Sequence, residues 1–111
     1  MFDQDRARAF YVDKLGCEVV ADASMGGDWR WIEVRFAGAR TTLHFVRRKD
    51  ERPSEEPVLG LIESDVVAAI EALRAKGVTI VSAPQIAPYA PDRTVAEFCD
   101  SEGNRMMISS R

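Results

Sequence analysis

Glu33 and His44 are the residues of this 111-residue chain whose chemistry could move a proton, and His44 is its only histidine. An imidazole titrates near neutrality, and a carboxylate beside it raises its basicity and orients one tautomer. Such a pair could act as a general base. The same two side chains could equally form a solvated cross-strand contact of small net energy. Trp31 offers an indole on which a planar ligand could stack, and Arg35 or Arg105 could hold an anionic group. The competing reading is a strand aromatic at a dimer contact, with arginines reaching for water. Thr42 and Met107 complete the set of candidate ligand-binding side chains. The sequence contains no glycine-rich phosphate loop, no G-x-S-x-G elbow and no zinc-finger spacing.

These residues must be positioned by strands. Residues Trp29–Phe36 and Arg40–Val46 read as a hairpin around Gly38-Ala39, and glycine at the first central position suits a two-residue type II′ turn. That turn pairs Trp31 with Val46, Glu33 with His44 and Arg35 with Thr42. The opposite face is then Ile32, Val34, Phe36, Leu43 and Phe45, wholly apolar, and it must pack on helices. The polar face is either solvated or the wall of a concave site. A three-residue turn would instead put His44 beside Ile32 and bury it without a charge partner.

The rest of the chain supplies the supports. Asp3 caps a helix expected to run to about Leu15, with Ala7, Phe10, Tyr11 and Leu15 at helical spacing and Gly16 as its stop. Cys17–Ala23 reads as a strand, and Met25–Asp28 as a turn. Arg47–Pro57 is charged and bounded by prolines, which predicts a linker. Val58–Ile62 reads as a strand. Ser64 or Asp65 caps a second helix bearing Val66, Ile70 and Leu73 on one face, with Gly77 as its stop. Val78–Val81 reads as a strand, and the three prolines of Ala83–Pro91 predict a loop. Arg93–Cys99 and Arg105–Ser109 read as a last hairpin around Asp100–Asn104, with Met106 and Ile108 in the core and an Asx turn at Asp100. The two halves repeat: Gly16 and Gly77 both lead into Val/Ile strands, aligning Ala7 with Ala68, Val19 with Ile80 and Val20 with Val81.

Bulk composition narrows the classes. The chain suits one domain with one core. Hydrophobic residues make up 46% and charged residues 30%, as in an ordinary globular protein. The formal charge of −3 gives no electrostatic case for nucleic acid or an anionic membrane. With no apolar run of membrane-spanning length, the expected location is the cytoplasm. Cys17 and Cys99 lack C-x-x-C spacing and are expected to be buried free thiols.

Residues 3–16 read DQDRARAFYVDKLG and residues 98–104 read FCDSEGN. In order and correctly spaced, they resemble the glyoxalase/bleomycin resistance protein/dioxygenase superfamily, the vicinal oxygen chelate proteins. That resemblance implies an α+β fold of two βαβββ modules in one domain over 1–111: module one 1–48, linker 47–57, module two 58–111. It places the helix-free sheet face as a cup lined by Trp31, Glu33, Arg35, Thr42, His44, Arg105 and Met107. The family's first strand precedes the aspartate that opens helix one. Only Met1 and Phe2 stand there, so that strand is expected to be largely missing or to start upstream. His44 aligns with a family metal-ligand position on the fourth strand, whereas the positions on the strand after the linker and on the last strand fall on Val58 and Met107. A mononuclear site needs three or four converging ligands, so the expectation is no metal and no cofactor. The expected function is metal-free binding of a small organic molecule, as in drug-binding resistance members. The alternatives are a metal-dependent lyase or dioxygenase with a ligand upstream of Met1, and a metal-free isomerase using Glu33 and His44. Open sheet edges, which the family closes by pairing modules within or between chains, imply a homodimer, with Arg47–Pro57 as a plausible hinge.

Overall fold

The structure, a computed structural model, describes residues 3–24, 26–46, 52–53 and 56–110. Met1 and Phe2, where the first strand is expected, lie outside the described residues. So do Met25 of the predicted turn and most of the predicted linker. The chain divides into two compact units, residues 1–52 and 53–111.

In the first unit, Asp3 accepts the Arg6 amide at 3.0 Å and caps α1, Gln4–Asp13, two residues shorter than expected. Three antiparallel strands follow: β1 (Glu18–Ser24), β2 (Arg30–Arg35) and β3 (Thr42–His44), in the order β1-β2-β3. The α1 helix packs against β2. Ala7, Phe10 and Tyr11 from the helix are buried, as are Ile32, Val34 and Phe45 from the hairpin. The Tyr11 and Phe45 rings lie 5.3 Å apart. A polar clamp joins helix to sheet: the Gln4 side chain donates to the Arg30 carbonyl at 2.6 Å and accepts the Arg30 amide at 2.8 Å. The carboxamide thus satisfies both backbone groups of Arg30 as a neighbouring strand would.

The hairpin register is the predicted one, with Glu33 opposite His44 and Arg35 opposite Thr42. The turn is not the expected II′ turn. The Ala39 amide donates to the Phe36 carbonyl at 3.0 Å. Gly38, at φ 78°, therefore occupies the third position of a turn starting at Phe36, where a type II turn demands a positive φ. Six residues separate the strands, and the ladder ends at His44. The Trp31–Val46 pair lies beyond it.

In the second unit, Asp65, not Ser64, caps α2 (Val66–Ala75), accepting the Ala68 amide at 3.0 Å. The sheet order is β4-β7-β6-β5, from β4 (Gly60–Ile62), β5 (Ile80–Ala87), β6 (Ala90–Cys99) and β7 (Arg105–Ser109). β4 runs parallel to β7 and the other pairs are antiparallel. This is the βαβββ arrangement, the strand before the helix lying beside the last strand. The helix packs on β5 and β6, and Phe98, Met106, Ile108 and Ile70 form the core.

The loop expected over Ala83–Pro91 is not there. β5 continues to Ala87, and β6 begins at Ala90 after a two-residue tip, Pro88-Tyr89. Pro84 is tolerated for two reasons. β5 is an edge strand of the sheet, and the register shifts between Ser82 and Gln85, so Ala83 and Pro84 sit in a bulge. The closing turn is as expected. Asp100 Oδ1 accepts the Glu102 and Asn104 amides, each at 2.9 Å. Gly103 has φ 81°, a conformation that favours glycine, and a Cβ there would also stand 3.1 Å from Pro53 Cβ, close enough to need a small shift.

Candidate functional site

β-strand alternation turns Trp31, Glu33 and Arg35 away from the buried Ile32 and Val34. The Phe45 amide donates to the Ile32 carbonyl at 3.4 Å. Glu33 and His44 therefore form the neighbouring non-hydrogen-bonded pair, where side chains approach most closely. They do not bond each other. The Glu33 carboxylate accepts the Trp31 Nε1–H at 2.6 Å. The His44 imidazole stacks on the Trp31 indole, with ring centroids 4.4 Å apart and planes at 25°, a diagonal cross-strand contact. Trp31 is thus fixed at its edge and on one face, while 40% of its surface stays open to solvent. Trp29 serves differently. Its Nε1 donates to the Phe45 carbonyl at 3.1 Å, which ties down the chain just past β3.

Arg35 and Thr42 lie farther along the same ladder. Arg35 is already engaged, with Nε and Nη2 both 2.8 Å from Glu18 Oε1. Among the predicted site residues, the first unit brings together Trp31, Glu33, Arg35, Thr42 and His44.

Arg105 and Met107 belong to the second unit. There β7 and β6 alternate together: Phe98 and Met106 point to the core, and Glu97 and Met107 to the other face. Arg105 Nε lies 3.6 Å from Glu97 Oε2. Met107 is opposite Gly60 on β4, and Val58, ahead of β4, is exposed. By the same alternation Arg93 shares the face of Val95, Glu97 and Met107. Sequence reasoning passed over Arg93 because its strand was expected to begin there, after a loop. The extension of β6 to Ala90 moves Arg93 from the expected start of the strand to its interior.

Among the described residues no three His, Cys, Asp or Glu side chains converge as a metal-ligand group. Cys17 is a buried free thiol, whose burial pushes its pKa up from 9.0 to about 11. Cys99 is free and only partly buried, contrary to the expectation of two buried thiols, because it occupies the helix-free face beside Arg105. Among the described residues no helix is long and apolar enough to cross a membrane.

Comparison with known proteins follows this geometry. The uncharacterized protein YetH of Bacillus subtilis (strain 168) is 27% identical over 108 residues, 96% of this chain and 88% of YetH. A glyoxalase/bleomycin resistance protein/dioxygenase superfamily member from Sphaerobacter thermophilus DSM 20745 superposes with a TM-score of 0.84 at 28% identity, over 98% of this chain and 89% of that one. TnmS3, an antibiotic binding protein from Streptomyces sp. CB03234, gives a TM-score of 0.78 at 32% identity, over 96% and 84%. The sequence model of the Glyoxalase/Bleomycin resistance protein/Dioxygenase superfamily matches residues 2–108, and this chain belongs to that superfamily.

Proposed function

We propose that this protein binds a small, planar organic molecule without a metal, in the cytoplasm, and sequesters it rather than transforming it. Trp31 is the observation that carries the reading. It is a half-open indole held by Glu33 at its edge and His44 on its face. A pre-oriented aromatic loses little conformational freedom when a ligand stacks on it. Arg35 and Thr42 give the platform a polar border. The 32% identity with the antibiotic binding protein TnmS3 supports the same ligand class. In the isomerase alternative, Glu33 would assist His44 as a base. Here the carboxylate is engaged by the indole N–H instead, which favours a platform over a proton relay. At the superfamily metal positions, Val58 and Met107 offer no hard donor, so a lyase or dioxygenase reading is the weaker one.

Titration with a panel of polycyclic aromatic antibiotics, read by tryptophan fluorescence, tests this. Saturable quenching is expected in the native chain, and in Trp31→Ala the response should vanish while Trp29 emission persists. Elemental analysis should find no stoichiometric metal. About one tightly held Zn, Ni, Fe or Mn per chain would overturn the metal-free reading.

A further inference from the structure

Glu18, Arg35 and Glu33 bring formal charge to the helix-free face of the first sheet, and Glu33 is the one without a counter-charge. Glu18 and Arg35 neutralise each other at 2.8 Å. Among the described residues no basic side chain pairs with Glu33. His44, directly opposite, lays its ring on the Trp31 indole instead. Glu33 Oε1 accepts the Trp31 Nε1–H at 2.6 Å, and Oε2 receives no hydrogen bond from the described residues. A carboxylate can accept several hydrogen bonds, so this one has capacity left. Across the ladder, Ala21 stands opposite Glu33 and Ala23 opposite Trp31, and a methyl group is too short to cover either side chain. Donating its N–H to an anion polarises the indole and makes its face more negative. An electron-rich ring surface and an unneutralised carboxylate therefore share one side of β2.

We propose that Glu33 is a specificity-determining residue and that the bound molecule is a planar aromatic cation. Its ring lies against the open part of the Trp31 indole, and its amidinium, guanidinium or ammonium group donates to Glu33 Oε2. Tryptophan is the side chain whose face attracts a cation most strongly, and the carboxylate adds a charge-assisted hydrogen bond. An anionic ligand is disfavoured at the same place. The arginine of this face, Arg35, is already held by Glu18, which leaves Glu33 to repel it. This inference rests on the small-molecule-binding reading above and adds the charge of the ligand to it. Every group it uses lies within the first unit.

Calorimetric titration with 2-naphthamidine, 2-naphthamide and 2-naphthoate steps the charge from positive to negative with shape held nearly constant. The native protein should bind the amidine roughly tenfold more tightly than the amide, the scale of an exposed cation–π contact and a surface charge pair together, and naphthoate most weakly. Raising the salt concentration should narrow the amidine-to-amide ratio. Glu33→Gln retains an acceptor for the indole N–H and removes the charge, so the ratio should fall by about threefold. Glu33→Asp, which keeps the charge on a shorter arm, should retain more of the preference than Glu33→Gln. Equal affinity of the native protein for amidine and amide overturns the proposal and leaves the aromatic-binding reading standing. A ratio unaltered in Glu33→Gln does the same. Failure of all three probes to bind overturns the two together. If Glu33→Gln does not fold, the native ratio and its salt dependence still decide, and a ratio indifferent to salt overturns the role of Glu33.

Discussion

Trp31 and Ile32 are adjacent residues on opposite faces of β2, and their substitutions should separate binding from folding. Ile32 has no solvent exposure. Ile32→Ala should cost about 2–5 kcal/mol by chemical denaturation, through lost transfer energy and the cavity left behind. Trp31 loses one stacked contact and part of its apolar cover, so Trp31→Ala should cost no more than about 1.5 kcal/mol. A Trp31→Ala protein as unstable as Ile32→Ala would make the indole a structural contact and remove the platform. Cys17 gives a second test at this scale. Its thiol proton is held more tightly in the folded chain than in the unfolded one, because burial raises the pKa from 9.0 to about 11. Its contribution to stability is complete below pH 9 and is lost as pH rises through about 11. Native stability should therefore fall over that window, and Cys17→Ala should flatten the decline. At pH 8, mass spectrometry after brief iodoacetamide treatment should find Cys99 alkylated well before Cys17. The reverse order would contradict the burial of Cys17.

At the scale of elements, the contact between α1 and β2 depends on one carboxamide. Gln4 is buried, and it satisfies the amide and the carbonyl of Arg30. Gln4→Ala should destabilise the fold by roughly 1–3 kcal/mol, the cost of leaving part-buried backbone groups unpaired. It should also speed hydrogen exchange at Arg30. An exchange rate unchanged at that amide would show that water replaces the side chain without penalty. Nothing in the sequence marks Gln4, since its two bonds join residues 26 apart and depend on the docking angle of the helix. The β2–β3 register was legible for the opposite reason. Ile32, Val34, Leu43 and Phe45 allow one apolar face, and a slip of one residue would bury Glu33 and His44. The expectation rested on a two-residue II′ turn, yet the register holds although the turn is formed around Phe36–Ala39, because the apolar face of the hairpin leaves no other alignment. The β5–β6 hairpin was illegible because a proline argues against a strand only when its N–H would join the ladder. At an edge bulge it need not, and the prolines of 83–91 concealed the hairpin. Likewise, the hairpin register placed Glu33 opposite His44, but only the structure shows that the indole takes the carboxylate and the imidazole stacks.

At the scale of the whole molecule, the two units close their sheets differently. In the second, β4 lies beside β7 and covers that side of the sheet. In the first, β3 has β2 on one side and, among the described residues, no strand on the other. An uncovered strand presents unpaired amides and carbonyls and is a ready template for another chain. β3 is only three residues long, which limits the number of ladder bonds it can offer. A stable association would therefore need apolar contact beside the edge as well as backbone pairing. Val46, just beyond β3, is among the exposed large apolar residues and could supply some of it. We expect the protein to be a homodimer of twofold symmetry, in which one patch meets its own copy. Light scattering at micromolar concentration should give a mass near twice 12.4 kDa. Val46→Lys should shift that mass toward the single chain without lowering helix content, since an exposed apolar side chain contributes little to folding of the monomer. A native protein of strictly single-chain mass at that concentration would refute the dimer. A native dimer unmoved by Val46→Lys would keep the dimer and place its interface away from the β3 edge.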